Sequence, residues 1–182
     1  MMELFALFGA AAGAVPTQAA ADLRCAVALS YVRDVVKQAR GRRLVFSTGE
    51  QPPFDAINGG WFEAGTALDH PKAMPAPAAE LVEGLNHTNR NAVRRCPSVR
   101  RFLRSKGIAY GARVAKAART RSVFRAYIQT VSLPVVSKDQ RRAVLERGEM
   151  RGSTDGGGWF ELLERKPSGE WSVIGYRPTW MA

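Results

Sequence analysis

Two periods of apolar residues divide the chain. Between residues 22 and 39, Cys25, Ala28, Leu29, Val32 and Val36 recur three and four positions apart, while Arg24, Arg33, Asp34, Lys37 and Arg40 fall off that stripe. This spacing predicts an amphipathic helix with Asp22 as its N-cap and Gly41 as its stop. From Ser122 onward the period becomes two. Segments 123–132, 142–150, 159–164 and 171–177, joined by turns at Lys138-Asp139, at Asp155 with the glycines after it and at Pro167-Ser168-Gly169, predict a four-stranded antiparallel meander.

The middle of the chain is less regular. A short strand is expected at 43–47, a helix at 78–85 with Pro77 in its first turn, and a helix at 97–105 with Val99, Phe102 and Leu103 opposite Arg100, Arg101 and Arg104. Gly107 stops the last of these. Residues 48–76 show neither period, carry several prolines and the turn Asn58-Gly59-Gly60, and hold Trp61, Phe62, His70, Asp55, Glu63 and Asp69. A long irregular loop in a compact domain is often functional, so this is the first place to look for a site. Helices first and strands last make the expected class α+β, with the N-terminal helix and the short helices on one face of the meander. Residues 22–121 are then mainly helical, and 122–182 form the sheet of the same single domain.

Residues 4–15 are an uncharged run of twelve, too short to span a bilayer, and Ala19-Ala20-Ala21 offers a small-residue cleavage site. Residues 1–21 are therefore read as a signal peptide and the mature protein as periplasmic or secreted. Glu3, in place of the usual Lys or Arg, instead suits an ordinary apolar N-terminal helix. Cys25 and Cys96 are the only cysteines. They form either one disulfide or two buried thiols; a bridge closing about 70 residues contributes on the order of 4 kcal/mol. With His70 and His87 the only imidazoles, the sequence offers neither a metal site nor a cofactor motif.

The formal charge of +11 is concentrated. No acidic residue occurs between Glu83 and Asp139, where thirteen basic residues lie, among them Arg94, Arg95, Arg100, Arg101 and Arg104. A field of one sign attracts polyanions, whether nucleic acid, anionic lipid or another envelope polymer. The plainer reading is a solvated surface in an arginine-rich composition, 21 Arg against 6 Lys.

Catalytic patterns are weak. A secreted nuclease would use His87, next to the basic segment, as acid or base. There is no Gly-x-Ser-x-Gly elbow, and Cys25 falls on the apolar stripe of its helix. The sequence Thr154-Asp155-Gly156-Gly157-Gly158-Trp159 precedes a strand and no lysine follows it, which argues against a phosphate loop and for a hairpin or bulge whose glycines supply positive φ. The tryptophans at 159, 171 and 180 suit sheet packing, and Trp61 beside Phe62 in the irregular loop suits either core packing or ligand stacking.

The last 50 or so residues carry Ser132, Pro134 and Ser137 at a strand entry, the hairpin Gly156-Gly157-Gly158, then Leu162, Leu163, Arg165, Gly169, Trp171 and a terminal Trp180. This pattern resembles a group of small exported bacterial proteins, frequent among alphaproteobacteria, with no established activity. The resemblance implies export and the sheet and transfers no catalytic residue. Where that group often has cysteines at the hairpin, this chain has Ser153, Thr154 and Asp155. The expectation is an exported, non-enzymatic envelope or interaction domain; the alternative is a polyanion- or nucleic-acid-binding protein or a nuclease built on His87 and the arginines.

Overall fold

The computed structural model describes residues 17–49, 62–64, 72–74, 77–87, 90–119 and 123–181. Among the described residues five helices, α1 (Thr17–Gln38), α2 (Ala79–His87), α3 (Ala92–Arg95), α4 (Pro97–Ser105) and α5 (Ala112–Ala118), accompany nine strands. The strands are β1 (Leu44–Phe46), β2 (Phe62–Ala64), β3 (Lys72–Met74), β4 (Ala109–Tyr110), β5 (Val123–Val131), β6 (Val135–Val136), β7 (Arg142–Gly152), β8 (Gly156–Arg165) and β9 (Trp171–Met181).

The α+β class holds, but the sheet is larger than the expected meander and is mixed. Its order is β3-β2-β9-β8-β7-β5-β1-β4, with β6 also on β7. The four expected strands lie side by side and antiparallel at its centre. β1 joins parallel to β5, and β4 parallel to β1. The β2–β3 hairpin, drawn from the segment that showed no period, adds to β9. β1 lies within the strand expected at 43–47, whereas β2, β3, β4 and β6, of two or three residues, are too short to display alternation and escape a periodicity argument.

Helices cover both faces, not one. In β7, Ala143 and Leu145 pack into the cluster beneath α1, α3 and α4, while Val144 between them packs beneath Leu81 and Leu85 of α2. On that second face Ala115 and Ala118 of α5 cover Val45, Ala126 and Ile128. Alternate side chains of a strand point to opposite faces, so a central strand with apolar residues at successive positions needs two covers.

Helix α1 begins at Thr17, so Asp22 lies inside it and is not its N-cap. Gln18-Ala19-Ala20-Ala21 are strong helix formers and carry the helix past the expected start. At its other end Arg40 and Gly41 both take positive φ, +46° and +82°, and Arg42 N–H donates to Ala39 C=O at 2.9 Å. Gly107, with φ +64°, ends α4 in the same way before β4. The protein thus places two helix–glycine–strand units next to each other, with β1 and β4 parallel.

The glycines after Asp155 act differently from expectation. Gly156, Gly157 and Gly158 are the first residues of β8, opposite Met150, Glu149 and Gly148, and none has positive φ. A Cβ on Gly156 would lie 2.7 Å from the Glu149 carbonyl oxygen. Close approach of two strands, rather than left-handed backbone, is what requires glycine there.

Candidate functional site

Cys25 of α1 and Cys96 form a disulfide with Cα atoms 5.3 Å apart. Cys96 is buried at the corner where α3 ends and α4 begins, its N–H donating to Ala92 C=O. The bridge therefore ties the start of α4 to the upper part of α1. Further down, the Arg33 guanidinium lies over the Phe102 ring at 5.7 Å, so the two helices run side by side in the same direction. Asn91 holds the corner from the other side: its amide donates to Ser47 C=O and Gly49 C=O at 3.0 and 2.9 Å, and its oxygen accepts from Arg94 N–H. Sequence reading missed Asn91; an Asn immediately before a short basic helix is an N-cap signal that was available.

The expected basic residues divide into two roles. Arg100 donates to Val93 C=O and Arg94 C=O at 3.1 and 2.6 Å, closing the C-terminal carbonyls of α3, so it serves the fold. Arg94, Arg95, Arg101 and Arg104 are exposed around α3 and α4. Beside them Arg33 and Lys37 of α1 are exposed as well, and Arg40 and Arg42 follow the end of α1 and Lys106 that of α4. Among the described residues, no carboxylate forms an ion pair with Arg33, Lys37, Arg40, Arg95, Arg101, Arg104 or Lys106. Cations near helix C-termini also favour the helices themselves. His87 is the last residue of α2, on the sheet face opposite α4; its side chain, like all of Trp61 and His70, lies outside the described residues.

The centre of the sheet carries charge of a different kind. On the α1 side of β5, β7 and β8, Arg147 sits between two carboxylates. Its Nη2 lies 2.6 Å from Glu149 Oε2 and its Nη1 3.6 Å from Glu161 Oε1. Its Nε donates to Gln129 Oε1 at 3.3 Å, Gln129 Nε2 donates to Glu149 Oε2 at 2.8 Å, and the guanidinium lies 5.3 Å from the Trp159 ring centroid. Arg151 reaches Glu149 Oε1 at 3.6 Å and Asp155 Oδ1 at 3.0 Å. Burial pushes the Glu161 carboxyl up from its usual range, against the pull of Arg147. Burial likewise works against the Arg147 charge, but the Tyr31, Glu161 and Glu149 oxygens around it outweigh that and raise its pKa. The Tyr31 phenol is raised too, first by burial and then by Glu161; its hydroxyl makes no well-formed hydrogen bond although both charged neighbours act on it.

Next to this network, under the last turns of α1, is a cavity of about 190 Å³. Val35, Ala39 and Leu44 form one wall, Gln129, Arg147 and Glu149 the floor, and Arg42, 5.4 Å above the Tyr127 ring, the rim. On the opposite face of the sheet Glu146 is buried, with burial alone raising its pKa to about 7.

No group of His, Cys, Asp and Glu among the described residues has the arrangement of a metal site, and no described helix is long and apolar enough to cross a membrane. No family model, curated protein or solved structure matches the chain.

Proposed function

We propose that this protein is a non-enzymatic interaction domain of the cell envelope that engages an anionic polymer through the adjacent faces of α1 and α4. The observation that carries this reading is the exposure of Arg33 and Lys37 on α1 and of Arg101 and Arg104 on the neighbouring, disulfide-tied α4, free of ion pairs with described carboxylates. The disulfide supports the compartment, since such bridges persist in oxidising surroundings. The bridge also fixes the spacing of the two helices, so the charges are displayed on a rigid support and little ordering cost accompanies binding.

Binding of this kind is driven by release of counterions and weakens steeply with salt. Immobilised heparin, a dense sulfated polyanion, is a suitable probe. The protein is expected to be retained at low salt and released as salt rises, and the Arg101→Glu/Arg104→Glu variant to elute at markedly lower salt with its fold intact. Retention unchanged in that variant would assign the binding to another surface.

A further inference from the structure

From the cavity under the C-terminal turns of α1, we propose a second binding site, independent of the basic helices, that accepts one neutral polyhydroxylated ring, the size of a single monosaccharide unit. The volume sets the scale. At about 190 Å³ the cavity holds roughly six waters' worth of liquid volume, too little for a large cofactor and enough for one small ring.

Hydrogen-bonding capacity selects the chemistry. Gln129 is buried and holds the floor in place, giving one amide hydrogen to Glu149 and one lone pair to Arg147, so the groups offered to a ligand are those of Glu149 and Arg147. Glu149 Oε2 takes two hydrogen bonds, while Oε1 meets only the longer contact from Arg151. Arg147 keeps N–H groups beyond those given to Gln129 and Glu149. The floor therefore offers donors and acceptors together, and a hydroxyl, which is both, matches it better than a carboxylate or an ammonium.

Charge argues the same way. Arg147 and Glu149 neutralise each other in the floor, and the rim cation Arg42 lies at the C-terminal, partially negative end of α1. A neutral ligand costs no charge desolvation there. The wall of Val35, Ala39 and Leu44 suits the C–H face of a ring. Gly41 builds the entrance, because its positive φ turns the chain so that Arg42 folds back over Tyr127.

The test is a titration of the isotopically labelled full chain with glucose, galactose, mannose, N-acetylglucosamine and acetate, followed by amide and arginine side-chain resonances. At least one sugar is expected to give a saturable response with Kd on the order of 1 mM or tighter, confined to residues 35–44, 127–129 and 147–149. Ala39→Phe, which fills the cavity and leaves the polar floor in place, is expected to abolish that response while thermal stability is kept. Arg101→Glu/Arg104→Glu should leave it unchanged, separating this site from the polyanion face. No response to any sugar, a response that survives Ala39→Phe, or a response to acetate alone would overturn the proposal.

Discussion

The two charged regions of this molecule are built on opposite terms. Between β7 and β8 on the α1 side Arg147 is enclosed by carboxylates, an amide and an aromatic ring, whereas around α3 and α4 Arg95, Arg101 and Arg104 face solvent. In the first region charge is part of the core and its loss should be felt in stability. In the second it is surface, and its loss should be felt in binding alone. A basic composition therefore has no single meaning here: Arg147 and Arg104 are the same residue type in different physical roles.

The largest effect should come from Arg147→Ala. It strands Glu161, which is buried, and removes a donor from Glu149, so a loss of up to about 5 kcal/mol is expected in urea unfolding. A loss below 1 kcal/mol would show that the network is solvated and that the contrast between the regions is false. Next, Cys25→Ser/Cys96→Ser should cost about 4 kcal/mol, because the bridge spans 71 residues of chain. The same protein measured with and without reductant checks this.

Glu146 sharpens the comparison from within the core, since it is a buried carboxyl with no described cation in an ion pair with it. Its folded pKa of about 7 lies above the ordinary value of 4.5, so the folded state holds the proton more tightly than the unfolded chain does. Its contribution is fully present below pH 4.5 and declines as pH rises, until about 7. Glu146→Gln should flatten that part of the stability–pH curve and be the more stable protein above pH 7. An unchanged slope would place the carboxyl in water. The smallest effect on stability is expected for Arg101→Glu/Arg104→Glu, within about 0.5 kcal/mol of the parent.

Much of the framework was legible in the sequence because it rests on periodicity. Helix α4 spans the residues its apolar spacing indicated, and the four long strands are where alternation placed them. Cys25 and Cys96 were recognised as the only pairing available, yet whether they met depended on α3 and α4 folding back onto α1, which no local pattern records. Of the short strands, β1 lies within the expected 43–47, whereas β4 depends on β1 and β2 on β9, partners far along the chain that no local pattern records. The glycines at 156–158 looked like a turn because turn and close strand approach demand the same residue; only the Glu149 carbonyl beside Gly156 tells them apart.

The candidate sites were less legible. The arginine run was visible as charge, but the separation of Arg100, which caps α3, from exposed Arg101 and Arg104 needed the helix orientation. Gln129, Arg147 and Glu149 gave no signal at all. They read as the polar positions of alternating strands, and their meeting arises from the register of β5 against β7, which pairs Gln129 with Glu149 and Val131 with Arg147.

The most direct test of the central claim is the salt dependence of heparin affinity for the parent and for the Arg101→Glu/Arg104→Glu variant. If α1 and α4 bind the polymer, log affinity of the parent should fall linearly with log salt, and the variant should show a slope smaller by on the order of one unit per lost contact. Equal slopes for the two proteins would contradict it.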